Sequence, residues 1–281
     1  MIKTYNHILK ELSGFYLENE IKSFASIIFL NLCNSKIIDI FSNPELSIDN
    51  NNQEKIFLVI DRLKKYEPIQ YIFGETDFFG LSFLVNKDVL IPRPETEELV
   101  EWILSNSSPT LPYRILDIGT GSGCIAVSLA KNLPNATVFA FDISEKALIV
   151  AKRNAKRNNV TIHFEQTDIL NFDVNNLFGN FDIIVSNPPY VTEREKCKME
   201  RNVLEYEPEQ ALFVPDNNPL LFYQKIAEFG KISLNKNGSV YFEINTLFGK
   251  ETVNMLEKTG YNDIVLKKDI SGKDRMAYAQ L

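Results

Sequence analysis

The sequence predicts an α/β fold in which helices cover both faces of a mostly parallel sheet and a small helical bundle precedes it. Three observations support this prediction. From Tyr113 onward, short apolar runs alternate with helical stretches. The first 75 residues carry apolar side chains at helical spacing. Residues 262–281 are typical of two strands joined by a tight turn, which makes the end of the sheet antiparallel.

Composition bounds the class of protein. The chain has 281 residues, 44% hydrophobic and 24% charged, which is typical of a globular protein of about two domains. Its net charge of −7 argues against a nucleic-acid binder. The N-terminus lacks a signal-peptide core and no apolar run reaches a membrane span. Cys33, Cys124 and Cys197 are too far apart in sequence for a metal or redox pair. We therefore expect a cytoplasmic protein without metal.

The N-terminal part is predicted to be helical. The segments "YNHILKELSGFYLE", "IKSFASIIFLNLC" and "NQEKIFLVIDRLKKYE" have helical periodicity, and polar turns such as "NPELSIDNNN" separate them. Eight basic residues against ten acidic ones through Glu75 leave no docking surface for a polyanion. Residues 76–92 alternate like a β-hairpin that turns at Gly80. Pro94 and the acids after it mark a helix start, so a second domain is expected over 93–281.

The second domain has the rhythm of a parallel sheet. The predicted strands are "YRILDIG", "ATVFAFD", "VTIHFEQ", "FDIIVSN" and "GSVYFEI". The clearest helices between them are "SEKALIVAKRNAKRN" and "NPLLFYQKIAEFGKISL". "NDIVLKKDISGKDRMAYAQL" predicts a C-terminal antiparallel hairpin.

A glycine loop follows the first of these strands. Gly119, Gly121 and Gly123, with Thr120 and Ser122 between them, let the backbone turn sharply next to a helix N-terminus. A dinucleotide fingerprint would place its third glycine where Cys124 stands. Loops with this G-x-G-x-G spacing are found in proteins that bind S-adenosylmethionine. A loop of this kind is also compatible with an ordinary tight turn.

Two acids follow the next strands. Asp142 comes 19 residues after Gly123, near the distance expected for a carboxylate that holds ribose hydroxyls. The alternative is that Asp142 caps the helix that begins near Ser144. Asp168 is expected at the level of the adenine, where it could accept from the exocyclic amine, or it is a turn former.

The segment "SNPPYV" ends the fourth strand at the edge where open α/β sheets bind ligands. A planar amide or amine nitrogen is a poor nucleophile because its lone pair is delocalised. A hydrogen-bond acceptor for each of its two N–H groups fixes its orientation and favours the pyramidal form, in which the lone pair is exposed. Asn187 Oδ1 can supply one acceptor, and the carbonyl of Pro188 the other, because the bond to Pro189 is rigid and has no N–H. Tyr190 offers a flat face on which the planar group can stack. The alternative is a strand-ending turn that contains two prolines.

Six segments together resemble the peptide chain release factor N5-glutamine methyltransferase family over nearly the full length: "EPIQYIFG", "LIPRPETEELVE", "ILDIGTGSGCIA", "SNPPYV", "YEPEQAL" and "DISGKDRMA". The resemblance implies a helical substrate-recognition domain (1–75), a hairpin linker (76–92) and a seven-stranded Rossmann-like class I methyltransferase domain (93–281). It also implies S-adenosylmethionine as cofactor and, as substrate, the glutamine in the Gly-Gly-Gln loop of class I release factors, modified in support of translation termination.

The resemblance further implies site residues. Asn187 would contact both cofactor and substrate, Leu90 to Pro92 would form an apolar wall, and the segment from Arg93 to Thr96 would lie against the active site. A linker hairpin and helix cap explain the same residues equally well. The family position after Asp168 is often aromatic but is Ile169 here. Glu243 matches the family without a role that its residue type suggests. We expect a monomer.

Two alternative functions remain from the sequence. The "NPPY" motif is shared with DNA and RNA amino-methyltransferases acting on N6-adenine or N4-cytosine, although no basic arm or target-recognition segment is evident. The other alternative is a non-catalytic scaffold that binds S-adenosylmethionine, which would have no need for the Asn187 amide.

Overall fold

A computed structural model describes residues 1–43, 45–172 and 179–281. The chain forms two compact units. The first comprises Met1–Gly74 and Glu200–Tyr206, and the second comprises Glu75–Met199 and Glu207–Leu281. Within the described ranges, every helix is too short or too polar to cross a membrane.

The first unit is helical. Its helices are α1 (Ile2–Leu12), α2 (Glu18–Cys33), α3 (Ile37–Ser42), α4 (Asn50–Leu63), α5 (Ile69–Phe73) and, from later in the chain, α9 (Arg201–Tyr206). They enclose one apolar core, with Ile8, Ile28 and Phe29 among its fully buried side chains. The predicted helical bundle is thus confirmed.

Two details of this unit differ from the expected pattern or extend it. The polar stretch "NPELSIDNNN" is a turn only in part, because Asp49 accepts from the Asn52 amide and starts α4 at Asn50; Pro44 lies outside the described residues. The segment Glu200–Tyr206 joins this unit through side chains. The Tyr206 hydroxyl donates to the Lys65 carbonyl at 2.8 Å, and the Arg201 guanidinium lies 4.2 Å from the centre of the Tyr66 ring.

The second unit is built on a seven-stranded sheet. Its strands are β3 (Arg114–Ile118), β4 (Thr137–Asp142), β5 (Ile162–Gln166), β6 (Phe181–Ser186), β9 (Leu234–Glu243), β10 (Asn262–Lys268) and β11 (Asp274–Gln280). Their order is β10-β11-β9-β6-β3-β4-β5. β5, β4, β3, β6 and β9 run parallel, and β11 and β10 are antiparallel additions. This is the predicted mostly parallel sheet with an antiparallel C-terminal hairpin.

Helices cover both faces of the sheet. They are α6 (Pro94–Ser105), α7 (Cys124–Asn132), α8 (Glu145–Arg157), α10 (Leu221–Ser233) and α11 (Gly249–Thr259). Two separate apolar clusters result, one packed around α6 and α7 and the other around α10 and α11. The helix expected at Pro94 begins there, with the proline in its first turn.

Two small ladders complete the second unit. β1 (Glu75–Phe78) and β2 (Leu81–Leu84) form the predicted hairpin around Gly80, which has a φ of +71°. β7 (Val191–Thr192) pairs in parallel with β8 (Phe213–Val214), a pairing that the sequence did not predict because each strand has only two residues.

The strand order decides where a ligand can bind. From β3 the sheet continues to β4 and β5 on one side and to β6 and β9 on the other, so the order reverses between β3 and β6. Loops that leave the carboxyl ends of these two strands diverge and leave a crevice. The glycine loop follows β3 and the "SNPPYV" segment follows β6, so the topology brings the two together.

Candidate active site

A cavity opens at the carboxyl ends of β3, β4, β5 and β6. Most residues singled out in the sequence line it: Leu90, Arg93, Gly119, Thr120, Gly121, Ser122, Asp142, Asp168, Ile169, Asn187, Pro188 and Pro189. Gly123 and Tyr190 are not among its lining residues. Further lining comes from Pro92, Thr96, Pro208, Gln210, Ala211 and Phe222, among others.

The glycine loop is tied to the neighbouring strand. The amides of Gly119 and Thr120 both donate to the carbonyl of Phe141, at 2.8 and 3.0 Å. Gly119 and Gly121 have φ angles of +73° and +54°, which L-residues with side chains rarely adopt. These hydrogen bonds hold the loop in place after β3, and its backbone borders the cavity.

Gly123 has a packing role beside the one expected. It is the N-cap of α7, and a Cβ placed on it would lie 3.1 Å from the Cβ of Ala151 on α8. Its lack of a side chain lets α7 start in close contact with α8. Helix packing thus explains the glycine, and its expected part in cofactor binding stays a prediction.

Asp117, at the base of the same loop, did not stand out in the sequence. It is fully buried, and its Oδ2 accepts from the Thr120 hydroxyl at 2.6 Å and from the Ala126 amide at 3.2 Å. Oδ1 has no hydrogen-bond partner among the residues that the structure describes. Burial raises the pKa of this carboxyl to about 7. A buried acceptor without a partner is one that a ligand or water can satisfy.

Asp142 holds two backbone amides. Its Oδ2 accepts from Gly121 N at 2.8 Å, and its Oδ1 accepts from Ser144 N at 2.9 Å. The N-cap of α8 is Ser144, which accepts from Ala147 N. Burial raises the pKa of Asp142, and its backbone hydrogen bonds oppose the shift. Asp142 thus braces the glycine loop while its side chain borders the cavity.

Asp168 and Ile169 form the next part of the wall. Asp168 accepts from Leu170 N at 2.9 Å and from Asn171 Nδ2 at 2.7 Å, so it does form the turn that was its alternative role. Ile169 is buried in the second apolar cluster and also lines the cavity. The adenine-level role of Asp168 stays a prediction.

The "SNPPYV" segment presents an oriented amide. Asn187 Nδ2 donates to Thr96 Oγ1 at 3.1 Å, which leaves Oδ1 as the end of the amide that can accept from a ligand. Pro188 is buried beside it. Tyr190 packs against the second apolar cluster, and its hydroxyl donates to Glu243 Oε1 at 2.9 Å.

A buried amide supports this segment from below. Asn245 Nδ2 donates to the Tyr190 carbonyl and to Glu195 Oε2, both at 3.0 Å. Glu195 in turn accepts from the Thr192 amide and hydroxyl. The path of the chain after the two prolines is therefore fixed by hydrogen bonds at each step.

The "YEPEQAL" segment contributes Pro208, Gln210 and Ala211 to the wall of the cavity. The Glu207 side chain is 1% exposed, accepts from Arg93 Nη2 at 2.6 Å and accepts from Ile91 N at 3.2 Å. Hydrogen bonds to an ionised carboxylate are strong, so a buried one fixes the positions of the groups that donate to it. Glu207 thus anchors the residues around Leu90 that border the cavity.

Sequence reasoning missed Asp117, Glu207 and Asn245, and it left Glu243 without a role, whereas Thr96 belongs to the segment that the resemblance placed against the active site. Glu243 and Asp117 carried a usable signal, since an acid inside or at the end of an apolar strand is rarely buried without a partner. Glu207 and Asn245 lie in a turn and at a helix start, where polar residues are ordinary.

Comparison with known proteins gives consistent results. The "methyltransferase small domain" family model matches residues 96–210. A release factor glutamine methyltransferase of Flavobacterium psychrophilum is 52% identical over 280 residues, covering 98% of each chain. One of Bacteroides thetaiotaomicron is 46% identical over 274 residues, covering 97% of each. A methyltransferase structure from Pyrococcus furiosus superposes with a TM-score of 0.51 at 19% identity, covering 83% of this chain and 98% of that one. The last likeness supports the fold alone.

The packing role of Gly123 predicts a stability effect. Gly123→Ala should lower the free energy of unfolding in urea by the backbone cost of a left-handed alanine, about 1–2 kcal/mol, plus a contact cost of about 1–3 kcal/mol. Gly80→Ala is the matched control: its φ is also positive, but no atom lies within 4 Å of the added Cβ. Equal losses in the two variants would contradict the packing role.

The raised pKa of Asp117 predicts a pH effect. Between its ordinary value of 3.8 and about 7, the folded state holds this proton more tightly than the unfolded state. The Asp117 contribution to the free energy of unfolding should therefore fall as pH rises through this interval and stay constant above it. Asp117→Asn, which can still accept from Thr120 and Ala126, should remove that part of the slope. The measurement is the free energy of unfolding in urea at several pH values. The same dependence on pH in the parent and in Asp117→Asn would refute the assignment.

Proposed function

The chain belongs to the release factor glutamine methyltransferase family, and from that premise we propose the reaction it performs. It transfers a methyl group from S-adenosylmethionine to the side-chain amide nitrogen (N5) of the glutamine in the Gly-Gly-Gln loop of class I peptide chain release factors, in support of translation termination. The observation that carries this proposal is the fixed amide of Asn187 at the cavity, with its oxygen left to accept from an incoming N–H.

The residues at the glycine loop fit the cofactor. The backbone of Gly119 and Gly121 borders the cavity, Asp142 offers a carboxylate suited to ribose hydroxyls, and Asp168 with Ile169 would border the adenine. The bound cofactor supplies an electrophilic methyl group on a sulfonium.

The "SNPPYV" segment supplies the chemistry at the amide. Asn187 Oδ1 accepts one hydrogen of the glutamine amide and the Pro188 carbonyl accepts the other, which favours the pyramidal nitrogen with an exposed lone pair. Tyr190, whose hydroxyl donates to Glu243, lies next to the prolines but is not among the cavity-lining residues, so its stacking on the planar amide stays a prediction. When the nitrogen gains its methyl group it becomes cationic and one of its protons then leaves readily, so no strong base is needed.

We further propose that the helical unit recognises the release factor. Of fifteen large apolar side chains exposed in the described residues, eight lie between Phe15 and Leu58 of this unit, which holds less than a third of the chain. Leu17, Ile38 and Leu58 are 80%, 70% and 63% exposed. These exposed apolar side chains are the proposed points of contact with the release factor.

A variant of Asp142 tests cofactor binding. Asp142→Ala should weaken S-adenosylmethionine binding in calorimetry by roughly ten- to a hundredfold, because it loses charge-assisted hydrogen bonds. Unchanged affinity would limit the role of Asp142 to bracing the glycine loop.

A variant of Asn187 tests turnover. Asn187→Ala should bind the cofactor normally and lose turnover by on the order of a hundredfold or more. Full activity in this variant would remove Asn187 from the mechanism.

The substrate is tested by offering the full-length enzyme labelled cofactor with release factor, duplex DNA or single-stranded DNA. We expect label on the glutamine of the Gly-Gly-Gln loop, located by mass spectrometry. Leu58→Glu should raise the KM for release factor without changing cofactor affinity, and Val265→Glu is its control, since Val265 is a similarly exposed residue of the sheet. Label on DNA bases with none on release factor would establish the nucleic-acid alternative.

A further inference from the structure

The side chains around Asn187 form a directed chain of hydrogen bonds that ends on Glu243. Asn187 Nδ2 donates to Thr96 Oγ1 at 3.1 Å, and Thr96 Oγ1 donates to Glu243 Oε2 at 2.6 Å. The Tyr190 hydroxyl donates to the other carboxylate oxygen at 2.9 Å. Glu243 is 1% exposed and ends β9, whereas Thr96 lies in the first turn of α6. Three distant parts of the chain thus meet at one carboxylate.

The direction of these bonds follows from the chemistry of the groups. An ionised carboxylate only accepts, and a hydroxyl has a single proton to donate. The Thr96 hydroxyl donates its one hydrogen bond to Glu243. Toward Asn187, the Thr96 oxygen can therefore only accept a hydrogen bond. The Asn187 amide must then turn its NH₂ group toward Thr96 and its oxygen away.

The groups facing Glu243 support its ionised form. The pKa of the Glu243 carboxyl is raised overall, chiefly by burial. The hydrogen bonds from Thr96 and Tyr190 and the nearby Arg275 act in the opposite direction and favour the carboxylate, and Glu95 adds a smaller raising effect. Burial also raises the pKa of Tyr190, so the phenol keeps its proton and remains a donor. Two donors and a cation are what a buried carboxylate requires.

We propose that Glu243 is a positioning residue for methyl transfer, which acts through Thr96 to set which end of the Asn187 amide faces the cavity. The inference rests on the proposed role of Asn187 as an acceptor for the glutamine amide. With the Asn187 amide reversed, its NH₂ would meet the N–H of the substrate, donor against donor, and one hydrogen bond to the reacting nitrogen would be lost.

The Thr96 hydroxyl is tested with a matched pair of variants. Thr96→Val keeps the shape of the side chain without its hydroxyl, and we expect kcat to fall on the order of tenfold. Thr96→Ser keeps the hydroxyl and should retain most of the turnover. Calorimetry is the second readout: although Thr96 lines the cavity, its hydrogen bonds go to Asn187 and Glu243, so kcat should change by a larger factor than the dissociation constant of the cofactor.

Glu243 is tested in combination with Thr96. Glu243→Gln has the same shape but offers one acceptor to two hydroxyl donors, so kcat should fall by about two- to tenfold. If Glu243 acts through Thr96, Glu243→Gln should lower kcat by a smaller factor in the Thr96→Val background than in the parent, and the loss that remains reflects the hydrogen bond from Tyr190 to the same carboxylate.

Several outcomes would overturn the inference while leaving the proposed function standing. They are parental kcat in Thr96→Val, equal losses in Thr96→Val and Thr96→Ser, or losses at Thr96 and Glu243 that multiply in the double variant. Each is read beside Asn187→Ala, which should have lost turnover by on the order of a hundredfold or more in the same assay. Parental turnover in Asn187→Ala would instead overturn the proposed function and, with it, the role of Glu243.

Discussion

The buried carboxylate of Glu243 constrains the site because a charge removed from water must be matched by donors. Its two oxygens accept hydrogen bonds from the hydroxyls of Thr96 and Tyr190, which lie 147 and 53 residues away in sequence. Once the carboxylate fixes these partners, the oxygen of Thr96 has only acceptor capacity left for Asn187. The orientation of the Asn187 amide at the cavity is therefore linked, through Thr96, to a carboxyl group at the end of a neighbouring strand.

The same device recurs on the other walls of the cavity. Glu207 holds the backbone of Ile91 and the guanidinium of Arg93, and Asp142 holds the amides of Gly121 and Ser144. Each acid fixes a segment that has little regular structure of its own. Loops carry the functional groups in open α/β folds, and acceptors of this kind keep such loops in one conformation.

Much of the fold could be predicted from periodicity and motifs. Alternation of strands and helices after Tyr113 identified the parallel sheet, the terminal run identified the hairpin, and Pro94 marked the start of α6. The two-residue ladder of β7 and β8 gave no periodic signal because it is too short. The helical segment Glu200–Tyr206 belongs by its contacts to the first unit, which no local pattern indicates.

For the site, the sequence by itself determined the residue types and their place after particular strands: the glycine loop, Asp142, and Asn187 with its prolines. Spacing and chain order carry that information, since the carboxyl ends of parallel strands share one edge. Only the tertiary structure decided that Gly123 serves helix packing and that Glu243 reaches Asn187 through Thr96. Such roles depend on which side chains from distant segments meet in a buried volume, and hydrogen-bond partners across 147 residues leave no trace in local sequence.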